Sequence, residues 1–188
     1  NWILRTALKD IGRIRDKIPH FFVNVNISAA QLSRKEFRDS VMTILKETGA
    51  RPEELCLELT ERCRDLDVTF LKNEVNFFHS KGIKIALDDF GTGYSSLDIL
   101  KALPADWIKI DQSFVMQVSE NKIDRDILKH LSDLCHSLKI KICVEGVENE
   151  ESLNIIEKYL PDTVQGYHYS TPLPETDFFE SFITDKSY

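Results

Sequence analysis

The chain has 188 residues, 42% hydrophobic and 29% charged, with a net charge of −7. Such a length fits one domain that buries roughly 70% of its unfolded surface. The acidic balance argues against a binder of DNA or RNA polymer, and no apolar run approaches the roughly 20 residues of a membrane helix.

The pattern then alternates helix and strand along the whole chain. A helix from Trp2 to Arg15 is separated by Pro19 from a strand at Phe21–Ser28. The helix Phe37–Thr48 stops at Gly49, and Leu55–Thr60 is the next strand. Phe70–Ser80 is a helix that stops at Gly82, ahead of the strand Ile83–Asp88. A short helix, Ser95–Leu103, ends at Pro104 before the strand Trp107–Asp111. The helix Arg125–Leu138 leads to the strand Lys141–Glu145, and the helix Glu151–Leu160 ends at Pro161. Thr163–Tyr169 is the last strand, followed by a helix near Thr176–Ile183. No internal repeat, low-complexity stretch or linker is expected. This alternation means parallel strands with right-handed crossovers, in a barrel or a doubly wound sheet.

Strand phase favours the barrel. Val23, Val25 and Ile27 alternate with Asn24, Asn26 and Ser28, and Leu57 and Leu59 flank Glu58. Ile85 and Leu87 precede Asp88, Ile108 and Ile110 flank Lys109, and Ile142 and Val144 precede Glu145. A doubly wound sheet buries both faces and reads apolar throughout. Here one parity is apolar and the other turns polar late in each strand, as at the carboxyl mouth of a (β/α) barrel.

Asn26, Glu58, Asp88, Lys109, Glu145 and Gln165 are therefore expected to converge. Asp88 and Asp89 are adjacent acids before the glycine-bearing turn Gly91-Thr92-Gly93, an arrangement that repels itself unless a cation intervenes. An amide oxygen and several carboxylates suit Mg²⁺ or Mn²⁺ rather than zinc. Two such ions clamp attacking and leaving oxygens in phosphodiester hydrolysis, and a lysine among the acids can orient water or stabilise developing charge. The cysteines Cys56, Cys63, Cys135 and Cys143 lack CxxC spacing and paired histidines, which points to reduced thiols and a cytoplasmic setting. His20, His79, His130, His136 and His168 show no ligand pairing, and Gly91-Thr92-Gly93 misses the dinucleotide spacing at Ser96.

Taken in order and spacing, six segments resemble the EAL-domain family of bacterial cyclic di-GMP phosphodiesterases. They are Asn26-Ile27-Ser28, Glu58-Leu59-Thr60-Glu61, Asp88-Asp89-Phe90-Gly91-Thr92-Gly93-Tyr94-Ser95-Ser96-Leu97, Lys109-Ile110-Asp111, Glu145-Gly146-Val147-Glu148 and Gln165-Gly166-Tyr167. The resemblance implies a TIM-type (β/α) barrel and Mg²⁺- or Mn²⁺-dependent hydrolysis of cyclic di-GMP to linear pGpG, with two ions in the complete domain. It implies that Asn26, Glu58, Asp88 and Asp89 are metal ligands and that Lys109 positions the attacking water. Glu145 would act as base or second-metal ligand, and Gln165 would support the catalytic network. Glu61 and Glu148 resemble the family's supporting acids, with Glu61 anchoring the Asp89–Ser96 loop. In the family that loop couples dimerisation and activation to the metal site, and Gly91 and Gly93 suit a segment that moves. A homodimer and attached sensory or regulatory domains are implied in the same way.

The tripeptide Glu-Ala-Leu does not occur in the sequence. In the family it lies on a strand upstream of the helix that opens this chain. The expectation is an N-terminally incomplete barrel, with about six of eight strands, from a longer protein. Its first and last strands would then be open edges. Two alternatives stand beside the phosphodiesterase: a catalytically inactive EAL-type receptor for cyclic di-GMP or protein-interaction module, and a Schiff-base enzyme using Lys109. The surrounding acids count against the latter, because they keep the lysine charged.

Overall fold

A computed structural model of the chain describes residues 2–60, 63, 66–91 and 96–184. Helix α1 (Trp2–Ile14) buries Leu4, Leu8, Ile11 and Ile14 as one stripe at helical spacing. Strand β1 (Val23–Ile27) leads through the capped turn α2 (Ala29–Leu32) to α3 (Phe37–Thr48). Gly49, at φ 68°, ends α3 in the left-handed conformation that glycine adopts without strain. A single 3₁₀ turn, Pro52–Glu54, opens β2 (Leu55–Leu59). Then come α4 (Val68–Ser80), β3 (Lys84–Phe90), α5 (Ser96–Ala102) and β4 (Trp107–Ile110). The chain continues with α6 (Lys122–Ser137), β5 (Lys141–Val144), α7 (Glu150–Ile156), β6 (Thr163–Val164) and α8 (Glu175–Phe178).

The boundaries depart from the sequence pattern where side chains override periodicity. Helix α6 starts at Lys122 rather than Arg125, because the Asn121 side chain accepts the Ile123 N–H and caps the helix there. Strand β6 stops at Val164 rather than Tyr169, so Gln165 lies just beyond the sheet. The short turns α2 and Pro52–Glu54 are too brief for any period to reveal them.

All six strands pair in parallel in the order β1-β2-β3-β4-β5-β6. Among the described residues β1 and β6 do not pair with each other, so the sheet is an open arc. Its outer face, with Val25, Ile27, Leu57, Leu59, Ile85, Leu87, Ile108 and Ile142, forms one apolar cluster with the helix stripes. The inner face is less polar than its sequence parity implies. Cys56, Ala86, Trp107 and Cys143 form a separate apolar layer with Phe22 below the polar groups. Polarity is thus concentrated at the carboxyl ends of the strands. All four cysteines are buried and unlinked, and no described helix is long and apolar enough to cross a membrane.

The chain also repeats, contrary to the expectation from sequence. His79-Ser80-Lys81-Gly82-Ile83-Lys84-Ile85 returns as His136-Ser137-Leu138-Lys139-Ile140-Lys141-Ile142. In both copies an aspartate ahead of the next strand accepts a strand amide. Asp106 Oδ2 takes the Ile85 N–H at 2.7 Å, and Asp162 Oδ2 takes the Ile142 N–H at 2.9 Å. The histidines address the same oxygens, His79 Nε2 at 2.7 Å from Asp106 and His136 Nε2 at 4.0 Å from Asp162. Gly82 (φ 85°) and Lys139 (φ 60°) occupy the same left-handed turn. Each copy delivers an acid after its first strand core, Asp88 or Glu145, and a nitrogen-bearing side chain with its second, Lys109 or Gln165. The repeat escapes a sequence reading because identity is confined to a few residues around each histidine.

Candidate active site

Lys109, 6% exposed, stands at the centre of the carboxyl mouth. Its Nζ lies 2.6 Å from Glu145 Oε1, 2.8 Å from Glu58 Oε1 and 3.6 Å from Asp88 Oδ1. Four strands meet here, because the register sets Glu58 of β2 beside Ala86 of β3 and Lys109 of β4 beside Cys143 of β5. With small neighbours at Ala86 and Cys143, the long side chains fill the interior above them.

Asp88 and Asp89 pose a geometric problem, since consecutive residues of a regular strand face opposite sides. The structure resolves it with a bulge. Leu87 pairs with Ile108 and Phe90 with Ile110, so β3 holds one residue more than β4 over this stretch. Asp89 takes up the excess at φ 52°, an unusual left-handed conformation for a residue with a side chain. Its N–H donates to Asp88 Oδ1 at 3.1 Å. As a result Asp88, Asp89 and Glu145 each offer a ligand oxygen, and these oxygens lie within 4.8 Å of one another.

The electrostatics follow from four carboxylates sharing one buried ammonium. Burial raises the Glu58 carboxyl above its ordinary range, with Lys109 opposing and the charges of Asp88 and Glu145 adding. Glu145 is raised for the same reason, burial first. Asp89 is raised by burial and then by the charges of Asp88 and Asp111. Its back is apolar: Asp88 and Asp89 border a crevice lined by Leu59, Leu71, Leu87, Phe90 and Ile99. Burial opposes the Lys109 ammonium, but the hydrogen bonds it donates to Glu145 and Glu58, with the negative charge of both, outweigh it and hold the lysine charged.

The other expected site residues take less central places. Asn26 pairs in register with Glu58 and is exposed at the β1 end of the arc. Gln165 and Glu148 are exposed and line a cavity of about 300 Å³ together with Asp89 and Glu145. Gln165 is held by its backbone, donating to Val144 O at 2.8 Å and accepting from Val147 N–H at 3.2 Å. Gly91 is described, at φ 102°, whereas Glu61 and Gly93 lie outside the described residues. Two further residues line the cavity without having been expected there, Asp111 and Gln112. Asp111 falls inside a segment already singled out, and its carboxylate accepts the Ser113 N–H at 2.9 Å. A second cavity of about 370 Å³ adjoins through Gln165, Gly166 and Tyr167 and is lined by Thr171, Leu173, Phe178 and Phe182.

The donor set fits a hard divalent cation. It consists of carboxylate oxygens packed closer than their mutual repulsion favours. Glu58 Oε1 is buried and ion-paired with Lys109 Nζ at 2.8 Å, so the lysine holds in place an oxygen that also faces the other acids.

Fold and site define an α/β protein of the TIM-barrel kind with an acid-rich, lysine-centred site at its carboxyl mouth. The chain belongs to the EAL domain family, whose profile matches residues 1–172. It is 34% identical over 184 residues to the probable cyclic di-GMP phosphodiesterase PdeG of Escherichia coli K12, which covers 97% of this chain and 36% of that protein. It is 33% identical over 175 residues to the cyclic di-GMP phosphodiesterase NbdA of Pseudomonas aeruginosa, over 93% of this chain and 22% of that protein. The solved PaMucR phosphodiesterase in complex with c-di-GMP superposes with a TM-score of 0.87 at 31% identity, over 94% of this chain and 72% of that one. The chain thus spans between 22% and 36% of the length of these curated relatives.

Proposed function

We propose that this chain carries the catalytic site of a bacterial cytoplasmic phosphodiesterase that hydrolyses cyclic di-GMP to linear pGpG with Mg²⁺ or Mn²⁺. The observation that carries the reading is Lys109 within 3.6 Å of Glu58, Asp88 and Glu145, with Asp89 turned by a bulge toward the same point. Relatives named as cyclic di-GMP phosphodiesterases support the substrate. An apolar and aromatic cavity next to the acid-lined one suits a planar base beside a phosphodiester.

In this reading Asn26, Glu58, Asp88 and Asp89 hold the cations, with Glu145 beside them. Bound there, the ions would acidify water and neutralise phosphate charge. Lys109 keeps its proton and orients the attacking water by donating to it. Glu145 accepts a proton from that water as its oxygen bonds to phosphorus and the bond to the ribose oxygen breaks, the ribose oxygen taking up a proton from solvent. The Gln165 amide and the backbone N–H groups beside it supply neutral donors to the phosphate in a cavity otherwise lined by acids. Sensory or regulatory domains elsewhere in the parent protein agree with the share of its relatives that this chain spans.

The test is chromatographic detection of pGpG from cyclic di-GMP by the full-length parent protein with Mg²⁺ or Mn²⁺. Product that disappears in Glu58→Gln, by at least about a thousandfold, supports the reading. A folded parent protein that binds cyclic di-GMP and releases no product assigns the domain a receptor role instead.

A further inference from the structure

The turn after β4, Gln112–Phe114, touches both loops that carry the carboxylates. We propose that this turn is a positioning element for the site, with Phe114 seating the Asp88–Asp89 bulge through Gly91 and Gln112 seating Glu145 through Gly146.

Gly91 follows the acid pair and its single intervening Phe90, at φ 102°. A Cβ on Gly91 would stand 2.6 Å from Phe114 Cε2 and 2.8 Å from Cζ, so the backbone here rests directly against the ring. Gly146 follows Glu145 at φ 74°. A Cβ on Gly146 would collide with Gln112 Cβ and approach its Cα to 3.0 Å. Neither glycine is needed only for its dihedral angle, because both also leave room for this one turn. The turn itself is firmly held. Phe114 packs on the main apolar core, the Asp111 carboxylate caps the turn at Ser113, and the Glu145 N–H donates to Ile110 O at 3.1 Å.

Lys109 lies two residues before Asp111 on the same piece of chain. The lysine and the two wedges are therefore one unit, with the aspartate pair on one side and Glu145 on the other. The width of the turn sets the gap that the carboxylates span. Displacement of a reacting group by about 1 Å costs on the order of a hundredfold in rate, which gives such a spacer a catalytic consequence without contact to substrate. The inference rests on reading the site as a metal centre, and the first of its two tests does not.

That first test is hydrogen exchange by mass spectrometry on the chain carrying Phe114→Leu or Gln112→Gly. Phe114→Leu keeps the core apolar while removing the ring from Gly91, and Gln112→Gly removes the Cβ from Gly146. The expected result is exchange at least about tenfold faster at residues 86–91 in the first variant and at 144–147 in the second, with β1 and β2 unchanged. Gln112→Ala, which keeps the Cβ, should exchange like the parent chain. Exchange that is unchanged, that rises uniformly over the chain, or that rises equally in Gln112→Ala overturns the proposal. The second test is Mn²⁺ titration of the same proteins, read from the electron paramagnetic resonance of free Mn²⁺. Affinity about tenfold weaker in Phe114→Leu supports the positioning role, and unchanged affinity in a loosened variant overturns it. A parent chain that binds no Mn²⁺ overturns the metal reading itself, and the exchange result then decides the turn's role alone.

Discussion

At the amino ends of the strands, each acid is met by donors from its own chain. Glu54, 2% exposed, accepts the Arg51 N–H and the guanidinium groups of Arg51 and Arg15. Asp106 and Asp162 hold strand amides and face histidines. At the carboxyl ends, Glu58, Asp88, Asp89 and Glu145 gather around one lysine. The pKa directions record the difference. Burial would raise Glu54, but the hydrogen bonds of Arg51 and Arg15 outweigh it and hold the carboxyl below its usual range. Burial prevails at Glu58, Glu145 and Asp89, which are all raised. The acids at the amino ends have guanidinium, amide or histidine partners of their own, whereas those at the carboxyl ends crowd around a single ammonium.

The largest break in this contrast comes from Lys109→Ala. In the full-length parent protein the rate should fall about a thousandfold or more while KM moves only a few-fold. In the metal-free chain the same change leaves buried acids without their cation and should cost about 3 kcal/mol, read by urea unfolding and largely recovered with Mn²⁺. An equal loss with and without Mn²⁺ would show that the lysine serves the fold alone.

At the opposite mouth, Asp106→Ala strips the Ile85 N–H of its acceptor and His79 of its partner. It should cost about 2 kcal/mol of stability and leave Mn²⁺ affinity unchanged. Asp162→Ala should cost less, because His136 stands 4.0 Å from that carboxylate.

Titration sharpens the contrast further, because the two mouths respond with opposite sign. Glu58, Glu145 and Asp89 have raised pKa values in the folded chain. Without metal, their contribution to stability is full below the ordinary carboxylate range and is lost as pH rises through the raised values. Mn²⁺ has to displace those protons, so its stabilising effect grows over the same window. Glu54 has a lowered value, so its contribution is present above the ordinary range and is lost as pH falls through the lowered one. Urea midpoints from about pH 3 to 8, with and without Mn²⁺, should separate the two groups. A Mn²⁺ effect independent of pH would remove the carboxylates from the metal site.

The smallest effect lies within the repeat. Lys139 holds the left-handed turn that Gly82 takes in the other copy. Lys139→Gly should stabilise the chain by about 0.5 to 1 kcal/mol, and Gly82→Ala should destabilise it by a similar amount, both read as shifts in thermal midpoint. If both changes have the same sign, the two turns are not equivalent.

The order of elements and the parallel arc were legible in the sequence, and so was the convergence of Glu58, Asp88, Lys109 and Glu145. These are consequences of local periods: helical stripes ended by Gly49, Gly82 and Pro104, and strand parity that places every second residue on one face. Parity also overstated the polarity of the inner face, where Cys56, Ala86 and Trp107 form an apolar floor. It extended β6 to Tyr169, because nothing in the alternation Val164-Gln165-Gly166-Tyr167 says that the partner strand β5 has already ended at Val144.

Only the tertiary structure decided the rest. The bulge that brings Asp88 and Asp89 to one side exists in the pairing of β3 with β4. The clasps at Asp106 and Asp162 join residues far apart in the chain, and the contacts of Phe114 with Gly91 and of Gln112 with Gly146 do the same. Side-chain parity is a property of each strand by itself and can be read one residue at a time. Register, bulges and close approaches are properties of pairs of segments, and they take form only when the segments are packed together.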